Sequence, residues 1–227
     1  MSSLVRRLPL VALLGCLLSA GTAAAENCST ALRDPGSRAA TAAPAACTRI
    51  GPVALGMSEA QVNAALGRPE YASGAAAPHP FRVYVYPRDL AATLARQPQP
   101  ETEVSHSELR VVFQDHKVVA LSAISDARTP LPFGLGDVRL GQPMNAIAGA
   151  TGAQLRWNAT RDEAFIDRMP LSFDVDDGNG EAYGVHVATD MAALGLGPVT
   201  QFHLRKDGGQ GRVTGFRISV DALTDAH

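Results

Sequence analysis

Two stretches of this chain, 85 positions apart, carry one pattern. Self-similarity at that spacing means two copies of one supersecondary unit. Aligned without a gap, Gly51 falls on Gly136, Val53 on Val138, Leu55 on Leu140, Gly56 on Gly141, Val62 on Ile147, Ala65 on Ala150 and Gly67 on Gly152. Each copy opens with a glycine-bounded loop and continues into a helical run that ends at Leu66-Gly67 or at Thr151-Gly152.

The local signals fill in each unit. Ser58 with Gln61 three residues on is a capping box, Val62, Ala65 and Leu66 follow at helical spacing, and Gly67 with Pro69 stops the helix. Alternation then predicts a strand over 81–86, with Phe81, Val83 and Val85 facing the core and Arg82, Tyr84 and Tyr86 facing solvent. A second strand places Leu109, Val111 and Phe113 inward and Arg110, Val112 and Gln114 outward. A tight turn at Asp115-His116 leads to a third strand from Val118. In the second copy, Pro143 opens a helix, and strands are expected around Leu155–Trp157, 171–176, 183–187, 199–205 and 212–220. The hairpin closing each unit is matched as Phe113–Val118 against Leu204–Val213. The expected fold class is α+β: two tandem units, each with one or two short helices packed on an antiparallel sheet of about four strands. The division reads 1–25 as a signal peptide, 26–47 as a loose leader, 48–128 as unit one and 133–221 as unit two, with Thr129–Pro132 between the units.

The N-terminus reads as an export signal: Arg6 and Arg7, an apolar run from Leu8 to Ala20, then Ala23-Ala24-Ala25 before Glu26. That run is too short to cross a bilayer, which takes about 20 apolar residues, so no stable membrane span is expected. Cys16 stands within it after Leu13-Leu14-Gly15, but the apolar run continues past it, which argues against lipidation there. Export leaves Cys28 and Cys47 in an oxidising compartment, where they are expected to pair in a structural role. Beyond the signal, 18 Lys and Arg face 22 Asp and Glu, a net charge of −4. A mildly acidic domain has no broad electrostatic claim on nucleic acid.

The run Gly56-Met57-Ser58-Glu59-Ala60-Gln61-Val62, with Leu66-Gly67-Arg68-Pro69 and a final Phe113…Lys117-Val118 hairpin, resembles the small outer-membrane-assembly lipoproteins of the SmpA/OmlA (BamE) group. It is also similar to the helix-on-sheet repeats of the secreted β-lactamase inhibitory proteins. The likeness covers most of 48–125 and, more weakly, 134–220. It implies a fold in which helices back a sheet. The two-unit layout, shared with the inhibitors, implies a sheet surface that holds another protein.

A catalytic constellation is not legible. No G-x-S-x-G or S-x-x-K stands beyond the signal, and the six histidines show no metal-ligand spacing. His186 and His203 could face one another on neighbouring strands, and the loop from Asp174 to Glu181 crowds oxygen ligands. Gly178-Asn179-Gly180 within that loop, however, is what a hairpin turn requires. No catalytic residue, metal site or cofactor is therefore assigned. The candidate partner-binding residues are those expected on the bare sheet faces: Arg82, Tyr84, Tyr86, Arg110 and Gln114 in the first unit, and Asp174, His186, Gln201, His203, Arg205 and Arg217 in the second. Tyr and Arg enrich protein interfaces because they bring area and hydrogen bonds at little entropic cost. The expected function is an exported periplasmic protein that binds and inhibits another protein, such as an immunity protein occluding a toxic enzyme aimed at the envelope. The alternative is a structural factor in outer-membrane assembly.

Overall fold

The computed structural model describes residues 27–33, 42–74, 77–89, 106–176, 178–196, 206–207 and 212–213. The expected signal peptide lies outside these residues. In chain order the elements are α1 (Cys28–Arg33), a 3₁₀ turn (Ala45–Cys47), β1 (Arg49–Ile50), β2 (Val53–Ala54), α2 (Glu59–Leu66), β3 (Tyr71–Ala72), β4 (Phe81–Tyr86), β5 (Ser107–Gln114) and β6 (Lys117–Ile124). There follow α3 (Met144–Thr151), β7 (Leu155–Trp157), β8 (Glu163–Ile166), β9 (Leu171–Val175), β10 (Ala182–Ala188), α4 (Met191–Leu194), β11 (Lys206–Asp207) and β12 (Arg212–Val213).

The fold is α+β, built on one antiparallel sheet of eight strands in the order β3-β4-β5-β6-β10-β9-β8-β7. Sequence analysis expected a sheet of about four strands per unit. The structure instead joins β6 to β10 by five facing pairs, from Gly184 opposite Ile124 to Ala188 opposite Ala120. The hairpin that stands beside β6 is β9–β10. The two short strands β11 and β12 pair only with each other in a separate two-stranded ladder.

The two glycine loops behave alike at the level of single hydrogen bonds. Gly56 N–H donates to the Val118 carbonyl at 2.8 Å and Gly141 N–H to that of Ala182 at 2.7 Å. Val118 and Ala182 return the bond to the carbonyls of Met57 and Gln142, both at 2.9 Å. The two loops also touch each other: Ile50 bridges Leu135, with Gly51 donating to Gly134 and Gly136 to Arg49. Gly51 and Gly136 both have positive φ, at 55° and 58°.

Helix α2 starts as the sequence predicts, with Ser58 Oγ accepting from Gln61 N–H and Gln61 Oε1 accepting from Ser58 N–H. Val62 of α2, Met144 and Ile147 of α3 and Leu32 of α1 pack onto one sheet face with Leu109, Val111, Phe113, Leu121, Leu171, Phe173, Val185 and Val187. Strand β4 is inverted relative to the expectation. Tyr84 stands opposite Leu109 and Arg82 opposite Val111, so Arg82, Tyr84 and Tyr86 share the helix-covered face while Val83 and Val85 take the far one. Alternation could not decide this, because Val83, Tyr84 and Val85 are all fully buried: a strand covered on both sides gives no inside-outside signal.

The leader is not loose where it is described. Cys28, Ala31 and Leu32 are buried, and Cys28 forms the expected disulfide with Cys47. The Asp137 carboxylate receives Ser29 N–H at 2.9 Å and the Ser29 hydroxyl, so the second loop caps α1. Partial burial would raise the Asp137 carboxyl, but these hydrogen bonds prevail and hold it below its ordinary value. Among the described residues, no helix is long and apolar enough to cross a membrane.

Glycine is required at Gly51 for two reasons. Its φ is left-handed, and a Cβ there would lie 2.7 Å from the Phe133 ring. Gly141 shares the positive φ, at 87°, but opens onto empty space. Gly141→Ala should cost about 1–2 kcal/mol from the backbone alone. Gly51→Ala should exceed it by a further ~1–3 kcal/mol of overpacking. Urea denaturation of the two variants measures the difference, and equal losses would contradict the Phe133 contact.

Candidate functional site

Of the residues expected on the bare faces, Asp174 and His186 meet on the far side of the sheet, which Arg110 shares. The register lines up Val83, Arg110, Ser122, His186 and Ser172 across five adjacent strands, with Glu108, Asp174 and Glu163 in the neighbouring row. His186 Nδ1 lies 2.9 Å from Ser122 Oγ and Nε2 lies 2.8 Å from Asp174 Oδ2. Arg110 pairs with Glu108 at 3.1 Å, and both side chains are buried. Arg110 is thus not the solvent-facing residue that alternation suggests. Asp174 and His186 keep about a fifth of their side-chain surface, at 22% and 21%.

Burial pushes the Glu108 carboxyl up to about 7, against the attraction of Arg110 and His186. Desolvation outweighs pairing, as buried ion pairs commonly show. Burial also lifts Glu163, with Ser172 opposing and Asp174 assisting. Burial works to lower His186, but the charge and hydrogen bond of Asp174, joined by Glu163, carry it above its ordinary value.

Ser122, His186 and Asp174 stand in the order of a nucleophile, a base and an orienting carboxylate. Acyl transfer also needs donors aimed at a developing oxyanion and a nucleophile that substrate can reach. Ser122 is 5% exposed in a central strand, and its backbone is committed to ladders with β5 on one side and β10 on the other. The arrangement holds protons and fixes the strand seam. Among the described residues, no group of three His, Cys, Asp or Glu side chains is placed to hold a metal ion. The loop after Asp174 is a hairpin turn, closed by Gly180 N–H to the Asp176 carbonyl at 2.8 Å and by Asp176 N–H to the Glu181 carbonyl at 2.9 Å.

Arg82 belongs to a different place, a cleft of about 440 Å³ where the start of α2, the start of β4 and the β5–β6 turn converge. Glu59, Arg82, Phe81, Phe113, Asp115 and His116 are among its lining residues. The guanidinium pairs with the Glu59 carboxylate, donates to Asn63 Oδ1 at 2.8 Å and sits 4.8 Å from the centre of the Phe113 ring. It is a clamp between helix and sheet. The other oxygen of Glu59 meets His116 Nδ1 at 2.9 Å, with the imidazole 90% exposed at the rim. Asp115 and His116 have φ values of 49° and 60°, the twist of a two-residue hairpin.

Tyr84 and Tyr86 cannot present a docking face. They lie beneath the helices, and Arg88 stacks 5.5 Å and 5.9 Å from their ring centres. Gln114 is exposed at the end of β5. Gln201, His203, Arg205 and Arg217 lie outside the described residues, and with them the expected His186–His203 pair. Sequence reasoning missed Glu59, Asp115 and His116. The first reads as an ordinary helix-start acid, and the other two read only as a turn.

No family model matches the chain, and no curated relative does. Among solved structures, it is similar to a cysteine-rich secretory protein from Staphylococcus aureus, at 10% identity over 61% of this chain and 44% of that one, with a TM-score of 0.39. It is also similar to an extracellular protein containing a SCP domain from Bacillus anthracis, at 13% identity over 62% and 45%, with a TM-score of 0.35. The chain thus spans less than half the length of these two structures, and likenesses of this strength carry no inference about activity. The structures found similar are secretory and SCP-domain proteins, and the expected kinship with the SmpA/OmlA (BamE) lipoproteins and the β-lactamase inhibitory proteins is corrected. The residues that suggested it, Gly56, Leu66, Gly67 and Pro69, are the turn and cap chemistry that any such loop-helix-strand junction calls for.

The far-face array sets a pH dependence of stability. Glu108 holds its proton in the folded protein up to about 7, whereas the unfolded chain releases it near 4.5. The folded state therefore binds more protons across that window, and stability falls as pH rises through it. His186, raised above 6.5, acts in the same direction from there upward. Thermal melts should show a higher midpoint near pH 5 than near pH 8. Glu108→Gln should flatten the slope between pH 4.5 and 7, by at most a few kcal/mol at ~1.4 kcal/mol per pH unit. An unchanged slope in that variant would show that Glu108 titrates normally.

Proposed function

We propose that this is an exported protein of two tandem helix-on-sheet units that binds another protein and inhibits it by steric occlusion, as an immunity protein does with a toxic enzyme delivered into the envelope. The periplasm is the compartment this reading assigns. The observation that carries it is the contrast between the halves of the sheet. The loop hydrogen bonds and the strand order are alike in the two halves, yet the cleft beside α2 occurs where Glu59 and Arg82 stand, and their counterparts by helix and strand position in the second half are Met144 and Ala164. A polar opening at Glu59 and Arg82 is a departure that the helix-on-sheet arrangement does not require. The Cys28–Cys47 disulfide and the export-type N-terminus support passage into an oxidising compartment.

The test is genetic. A deletion strain should grow and withstand detergent as its parent does, and lose viability in mixed culture with a competitor that carries the cognate toxin. Detergent sensitivity and porin defects, with no change in competition, would instead mark a structural factor in envelope assembly.

A further inference from the structure

Resting on that protein-binding reading, we infer that the cleft between α2, β4 and the β5–β6 turn takes a lysine or arginine side chain of the partner. The charges already present decide the sign. Arg82 is held by Glu59, Asn63 and the Phe113 ring, with 17% of its side chain exposed, so it is committed to the fold. Glu59 is divided between Arg82 and His116. Asp115 is an exposed carboxylate that makes no ion pair among the described residues, and its turn geometry sets it at the rim. Of the carboxylates and guanidinium that line the cleft, Glu59 and Asp115 outnumber Arg82, which favours a cation. Ala72, Pro80, Phe81 and Phe113 give the lining an apolar part, beside the hydroxyl of Ser73, which accepts from Phe81 N–H, and that part suits the methylene stem of a long basic side chain, whose charged head would then meet Asp115. A volume of about 440 Å³ falls within the ordinary range for sites that admit one such group.

The experiment titrates the isotope-labelled full chain, disulfide intact, with Nα-acetyl-lysine methylamide, using the norleucine and glutamate analogues as controls. Saturable shifts are expected at the backbone amides of Ser73, Phe81, Asp115 and His116, with a Kd on the order of 1–10 mM. The norleucine analogue should bind about twofold to fivefold more weakly, as an exposed ion pair implies. Asp115→Asn, a residue that tolerates the same positive φ, should reduce the lysine analogue to the affinity of norleucine. Three results would overturn the inference: no saturable shift at those amides up to ~50 mM, glutamate binding as well as lysine, or an unchanged lysine affinity in Asp115→Asn. Any of these beside intact protection in mixed culture removes the cleft and leaves the inhibitor reading; loss of protection with lysine binding retained does the reverse.

Discussion

The antiparallel pairing of β6 with β10 is the constraint on which the remaining architecture depends. A four-stranded half would leave the long strand β6 or β10 as an open edge, with its row of donors and acceptors unpaired, and so invite association with other chains. Joining the two last strands of the halves removes both edges at once. It also makes one broad floor on which α1, α2 and α3 share a single apolar cluster. The mutual bridge of Ile50 and Leu135 is a second tie of the same kind, placed between the two glycine loops.

That seam explains why charged groups sit in the middle of the sheet. Ser122 and His186 face each other across it, and Glu108, Arg110 and Asp174 follow on the flanking strands. A hydrophobic array there would pair in several registers, because apolar side chains slide past one another at little cost. Directional contacts such as His186 to both Ser122 and Asp174 are satisfied in one alignment only. Desolvation of Glu108 is the energetic cost of that selectivity, and a pH-sensitive stability is its outward sign.

What the sequence disclosed followed from local chemistry. The capping box at Ser58 and Gln61, the glycine pairs of the two loops, the Asp115-His116 turn and the Cys28–Cys47 bridge all depend on residues close in the chain or on compartment, and all are present. The orientation of β4 did not follow, because Tyr84 and Val83 are both apolar enough to be buried and both are. Nor did the surroundings of Arg110, whose pattern reads as an exposed position although the sheet buries it beside Glu108. The cleft lies beyond local reading: Arg82 alternates as a bare-face residue, whereas its neighbours Glu59 and His116 arrive from α2 and from a turn 57 positions further on. Long-range register, which decides such meetings, is not written in any one segment.

The outermost strands of the eight are the shortest, two residues in Tyr71–Ala72 and three in Leu155–Trp157. A strand so brief offers an incoming chain too few backbone groups to grip. The sheet thus tapers to a close at both margins, and strand-by-strand growth into fibrils finds no foothold there.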